Sequence, residues 1–176
     1  MPKISVQKPT RLIHHNPVCL VTSKSDTVEN VFTASWVMPV SNNPPMVALS
    51  VAKSRFSYGL IKKSGAFVLN IPNKSMLKEV IYCGSVSGRD KNKFAEMKFQ
   101  KEMSPHANIL LSKCIAYLEC KVTKEIEVSD RTIFIAEIIA NGVQKGLFEN
   151  DKWILSEKSE ILLYLGDGKY CTVRPV

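Results

Sequence analysis

Three stretches of this chain combine residue types and spacings that could do chemistry. The first is Ser50-Val51-Ala52-Lys53-Ser54-Arg55-Phe56-Ser57, which runs out of a strand-like pattern into a helical one. Free N–H groups at a helix start, the hydroxyls of Ser54 and Ser57, and the planar fork of Arg55 together suit a phosphate. A capped helix with a surface arginine describes the same residues. The second stretch is Cys83-Gly84-Ser85-Val86-Ser87-Gly88-Arg89-Asp90, followed by Lys91-Asn92-Lys93-Phe94. Its two glycines let backbone donors come close to a ligand, and Arg89 and Lys93 add positive charge. A helix end leading into a polar turn is the alternative. It is not a Walker loop, since no GxxxxGK[ST] occurs, nor a nucleophile elbow, since Val86 stands where serine is needed. The third is Thr33-Ala34-Ser35-Trp36, small and hydroxyl residues at a strand end that could meet the edge of a polar ring. Trp36 reads equally well as a core residue.

Other reactive side chains offer less. His14-His15 falls in a basic N-terminal loop, His106 follows Pro105, and no HExxH-like spacing exists, so no metal site is expected. Five cysteines without a CxxC read as free, mostly buried thiols of a cytoplasmic protein. No apolar run approaches the roughly 20 residues of a membrane helix, and the first residues lack the apolar core of a signal peptide. The net charge of +8 is unevenly placed. Between Glu29 and Glu79 there is no acid, whereas Lys53, Arg55, Lys62, Lys63, Lys74 and Lys78 are basic. That asymmetry suits an anionic partner. The clustered aromatic and basic residues of a nucleic-acid face are missing, so nucleic acid is not an expected partner.

The elements that must position these residues are mostly short strands. Val18–Thr22, Val31–Val37, Met46–Ala52 and Phe67–Ile71 are rich in β-branched and aromatic residues, with the turn cluster Ser41-Asn42-Asn43-Pro44-Pro45 between the second and third. Cys114–Val128 and Thr132–Val143 are longer runs. Ile161–Leu165 and Tyr170–Val173 flank the turn Gly166-Asp167-Gly168. Short helices fit Ser57–Lys63, stopped by Gly65, and Ser75–Tyr82, ended by Gly84; Lys91–Met97 adds a turn. About eight strands with few helices predict a mainly β, closed or split barrel, in one domain spanning residues 1–176.

The order and spacing of these stretches resemble the flavin reductase-like family of FMN-binding split β-barrels, closest to its flavoredoxin and archaeal ferric reductase branch. The likeness rests on PPMVALSV followed by Arg55, Ser57 and GAFVLNIP, on SGRD with Lys93-Phe94, and on DRTIFIAEI and ILLYLGDGKY, from about Asn16 to Tyr170. The resemblance implies a homodimer that binds FMN without a covalent bond. It places Thr33, Ala34, Ser35 and Trp36 along the isoalloxazine edge. Ser50, Val51, Arg55 and Ser57 would hold the phosphate and ribityl chain. Cys83, Gly84, Ser87, Gly88, Arg89 and Lys93 would close over the flavin. The flavin carries the redox chemistry, so no side chain is nominated as a catalytic acid or base. The implied activity moves electrons from NAD(P)H through FMN to flavin or another acceptor. The alternative is a flavoredoxin-like carrier reduced by a protein donor, because Arg131 follows Asp130 where many flavin reductases have a histidine.

Overall fold

A computed structural model describes residues 3–174. In chain order it contains β1 (Asn16–Pro17), β2 (Cys19–Ser25), β3 (Val28–Ala34), β4 (Val37–Asn42), β5 (Pro45–Ala52), α1 (Phe56–Ser64) and β6 (Ala66–Ile71). There follow α2 (Leu77–Ser85), α3 (Lys93–Glu96), β7 (Lys101–Met103), β8 (Ile109–Leu111), β9 (Ala116–Val128) and β10 (Arg131–Val143). The chain closes with β11 (Phe148–Glu149), β12 (Lys152–Trp153), β13 (Leu162–Gly166) and β14 (Lys169–Thr172). Short 3-10 turns cover Pro9–Ile13, Lys74–Met76 and Glu157–Ser159.

Seven strands form one antiparallel sheet in the order β3-β2-β6-β9-β10-β5-β4. Its two edge strands, β3 and β4, follow each other in sequence with only Ser35 and Trp36 between them. Three Cα steps of about 3.8 Å reach at most ~11 Å, so the two edges of the sheet must converge. The sheet is therefore curled into a barrel that stays open along one seam. This is the split barrel expected from the sequence.

Alternation along the strands explains the interior. Cys19 and Val21, Val47, Leu49 and Val51, Phe67 and Leu69, and Phe134 and Ala136 point to one face and pack with Ile61 of α1. The opposite faces of β2 and β3 are buried too. Val18, Leu20 and Val31 meet Met76, Val80 and Cys83 of the α2 segment together with Phe94. Burial on both faces fits the apolar run Cys19-Leu20-Val21 that opens β2, and it extends to the polar Thr22, Ser23 and Ser25 further along the strand.

Three expectations need correction. The strand read over Val31–Val37 is broken at Ser35-Trp36, because the chain crosses the seam there. The residues read as a turn beginning at Ser41 include the end of an edge strand, β4, and the turn itself is confined to Asn43-Pro44. Helix α2 runs on through Gly84 to Ser85. The short strands β7 and β8 pair with each other and carry too few residues to show a period of two.

Candidate functional site

The seam opens into a cavity of about 740 Å³. Thirteen of the fourteen residues nominated from the sequence line it. Thr33, Ala34, Ser35 and Trp36 come from the β3–β4 crossing, and Ser50 and Val51 from β5. Arg55 and Ser57 come from the start of α1; Gly84, Ser87, Gly88 and Arg89 from the end of α2 and its following loop; Lys93 from α3. Cys83 does not line it. Its side chain is 1% exposed in the outer core, where burial pushes the thiol up to about 12, and only its carbonyl serves the site.

Local packing fixes each wall. Arg55 precedes α1 with extended backbone and makes no side-chain cap, which leaves the first N–H groups of the helix unclaimed by a cap at the cavity wall. Ser57 is buried, and its Oγ accepts from Asn30 Nδ2 at 2.8 Å. The α2 end is tied to β3 by Thr33 Oγ1, which donates to the Val80 carbonyl at 2.5 Å. Gly84 lies over the same threonine, its Cβ position 3.4 Å from Thr33 Cβ. Gly88 is packed so closely that a Cβ would stand 2.2 Å from Asn30 Oδ1. Only glycine lets this loop lie against Asn30. Arg89 donates to the Ser54 carbonyl at 3.3 Å and stacks 5.9 Å from the centre of the Phe56 ring.

The electrostatics are one-sided. Among the described residues no aspartate or glutamate lines the cavity, while Arg55, Arg89, Lys93 and Arg131 do. On the rest of the molecule Lys53, Lys62, Lys63, Lys74, Lys91, Lys101 and Lys113 are each paired with a carboxylate. Among the described residues none of the four cavity cations is. Lys93 shows it most sharply. It is 3% exposed, and its Nζ donates to the carbonyls of Val31 and Cys83, each at 2.9 Å. Burial pulls this ammonium below its ordinary value, and the positive charge of Arg55 adds to the effect. Among the described residues only two of its three N–H donors have a partner. A buried cation without a counter-charge is costly unless an anion arrives to meet it.

The opposite end of the cavity is aromatic, and sequence reasoning missed most of it. Trp36 Nε1 donates to His14 Nε2 at 2.7 Å. His14 stands edge-on to Tyr164 with ring centres 5.0 Å apart, and Tyr164 packs on Tyr170 at 5.1 Å. Burial lowers the pKa of His14, and the charges of Arg11 and Arg131 lower it further, which favours the neutral ring that Trp36 needs as acceptor. His14 is thus a wall of the site rather than part of an idle loop. Tyr164 and Tyr170 arrive on the β13–β14 hairpin, about 130 residues downstream of Trp36, and no local signal links them. Asn30 carried a faint one: a polar residue inside a β-rich run that must be satisfied by something nearby.

The two ends together suit a ligand with a planar ring at one end and a phosphate at the other. The chain matches the model of the flavin reductase like domain over residues 11–174 and belongs to that family. It is 31% identical over 176 residues to YddH of Escherichia coli, spanning 96% of this chain and 93% of that one. An Archaeoglobus fulgidus protein is 37% identical over 111 residues, 62% of this chain and 63% of that one. Among solved structures, flavoredoxin from Methanosarcina acetivorans superposes with a TM-score of 0.88 at 29% identity, covering 100% of this chain and 94% of its own.

Proposed function

We propose that the seam cavity binds FMN and that the protein is an FMN-dependent oxidoreductase, taking electrons from NAD(P)H and passing them to flavin or another acceptor. The observation that carries this reading is the bipartite cavity. Its acid-free end gathers Arg55, Arg89 and Lys93 at the start of a helix, and its other end is walled by Trp36, His14, Tyr164 and Tyr170. The volume is that of a site for a cofactor-sized ligand. The donor set fits a phosphomonoester: helix N–H groups, the hydroxyls of Ser54 and Ser57, and three cations.

Bound FMN would supply the hydride and electron chemistry. The residues of this chain bind, orient and shield. Arg55, Arg89 and Lys93 hold the phosphate, with Lys93 itself held by two carbonyls. Ser57, fixed by Asn30, lies beside it. The loop over Ser87, Gly88 and Arg89 closes one side, and Thr33 and Gly84 keep that loop's helix against β3. Trp36, locked by His14, gives a rigid flat wall for the ring end. No side chain is required to move a proton.

A second reading is a flavoredoxin-like electron carrier reduced by a protein donor. Two observations favour it: the likeness to a flavoredoxin over the full chain, and Arg131 in the place of a histidine found in many flavin reductases. A homodimer and a cytoplasmic location belong to the proposal in either form. The edge strand β4, with Met38 and Val40 exposed, supports the former as an edge open to pairing. The test is an absorbance spectrum of the purified protein, followed by anaerobic addition of NADH and then NADPH. Flavin bands that bleach with nucleotide support the reductase. Bands that persist until dithionite is added support the carrier, and a colourless protein that takes up no FMN refutes both.

A further inference from the structure

The side chains of the strand crossing at the seam converge on a single nitrogen. Ser35 and Trp36 are the two residues between β3 and β4, and both reach His14. Trp36 Nε1 donates to His14 Nε2 at 2.7 Å, and Ser35 Oγ lies 3.3 Å from the same atom. An indole N–H can only donate, so Nε2 must offer its lone pair and the ring proton must sit on Nδ1. The neutral imidazole alone satisfies this geometry. An imidazolium carries an N–H at both nitrogens and would set two donors against each other across 2.7 Å.

The surroundings give a charged ring nothing in exchange. Nδ1 is buried and has no hydrogen-bond partner among the described residues. Arg11 of the N-terminal turn and Arg131 of β10 both oppose a further positive charge there. Arg131 is held in place: its Nε donates to Ser50 Oγ at 2.9 Å and its Nη2 to the Ser50 carbonyl at 3.1 Å. Its guanidinium lies 4.2 Å from the centre of the Trp36 ring. From β13 Tyr164 stands edge-on to His14, with Tyr170 of β14 behind it. No carboxylate among the described residues lies within salt-bridge distance of His14. Asp167 of the hairpin turn reaches Arg11 at 4.0 Å instead, and Asp130 acts on Arg131. Burial and the two arginines therefore keep the ring neutral at pH 7 and move its protonation to the acid side of an ordinary histidine.

We propose that His14 is a proton-operated latch on the β3–β4 crossing: protonation removes the lone pair that holds Trp36 and Ser35, and the ring end of the cavity loses its fixed wall. His14 acts through Trp36 and is a positioning residue. The backbone of the crossing stays pinned, since the Trp36 carbonyl accepts from Ser50 N at 3.0 Å, so the change is confined to side chains. Above the transition the wall is set and a flat ligand meets a rigid surface; as pH falls through it, binding weakens. The consequence for a flavin rests on the FMN reading, whereas the latch itself does not.

The test reads Trp36 directly and then the site. The chain has two tryptophans, so Trp153→Phe leaves Trp36 as the sole reporter. In flavin-free protein its emission should follow one transition below about pH 6.5 as pH falls from 8 to 5. His14→Gln puts an amide oxygen near the place of Nε2 and does not titrate, so the transition should vanish. His15, His106 and Glu119 are unchanged in that variant, and their titration cancels in the comparison. Riboflavin then reports the ring end, because it lacks the phosphate of FMN, which itself titrates near pH 6. Between pH 8 and pH 5 its affinity should fall at least about fivefold in the wild type, the loss of one ordinary hydrogen bond. The same fall should stay under twofold in His14→Gln. Trp36→Phe, which has no N–H to hold, should bind riboflavin weakly and with the same affinity at both pH values. A flat Trp36 emission overturns the inference, as does a transition that survives His14→Gln. An equal fall in riboflavin affinity in the wild type and His14→Gln overturns it too. Should riboflavin bind at neither pH, the flavin reading of the ring end fails by itself, and the emission transition alone decides the latch.

Discussion

Replacing Gly88 with alanine tests how the second loop shapes the cavity. A Cβ at this position would stand 2.2 Å from Asn30 Oδ1, 2.6 Å from Asn30 Cγ and 2.8 Å from Phe56 Cδ1. Asn30 cannot simply swing away, being 4% exposed and bonded through Nδ2 to Ser57 Oγ. Real contacts of this kind start near 3.0 Å, so the loop must lift by about 1 Å or the Asn30–Ser57 bond must break. Overpacking of this order costs about 1–3 kcal/mol. If FMN requires the loop closed, that cost is charged to binding, and affinity falls about 5- to 150-fold. The assay is quenching of flavin fluorescence on titration with protein. Gly59→Ala is the control: the same chemical change inside α1, where no atom lies within 4 Å of the added Cβ. It should leave FMN affinity within about twofold and raise stability by about 0.5–1 kcal/mol, the helix preference of alanine over glycine. Wild-type FMN affinity in Gly88→Ala would refute the claim that this loop's close packing builds the site.

Two further perturbations follow from the same structure. Arg55→Ala should weaken FMN binding by about 10- to 150-fold, the loss of a charge-assisted contact of about 1.5–3 kcal/mol, while riboflavin binding stays unchanged; an equal loss for both would move the phosphate elsewhere. Away from the cavity, Glu119 is fully buried: burial pushes its carboxyl up, and hydrogen bonds from Ser104, Asn108 and His106 outweigh that and hold it below its ordinary value. A depressed carboxyl contributes stability above its unfolded value of about 4.3 and loses it as pH falls through the folded value. Urea unfolding between pH 7 and pH 3 should therefore show a steeper acid decline in the wild type than in Glu119→Gln, and identical slopes would contradict the assignment.

Much of the barrel was legible because its strands are short, β-branched and separated by turn residues, as in Phe67–Ile71 ending at Pro72. The cationic end of the cavity was legible for a different reason. Arg55 and Ser57 at the start of α1, and Gly88 and Arg89 in the loop after α2, fall in short stretches whose composition itself is unusual, so local chemistry marks them. Cys83 was misplaced although a signal existed: Met76, Val80 and Cys83 recur at the four- and three-residue steps of a helix face, which is the mark of a buried stripe. The aromatic end had no local signature. His14, Tyr164 and Tyr170 meet Trp36 only because the barrel brings the N-terminal segment and the last hairpin to the seam. The link between Arg131 and Ser50 depends on strand register, since a shift of one residue would send Arg131 to the other face of the sheet.

Comparing FMN with riboflavin tests whether the cationic end of the seam holds the phosphate of FMN. Both should be titrated calorimetrically into flavin-free protein at low and high salt. With helix N–H groups, Arg55, Arg89 and Lys93 all engaged, FMN should bind at least 100-fold more tightly than riboflavin, and the gap should narrow as salt screens the more exposed of these charges. Equal affinity for the two flavins at every salt concentration would contradict the account, because a phosphate with no influence on binding cannot be what these unpaired cations hold.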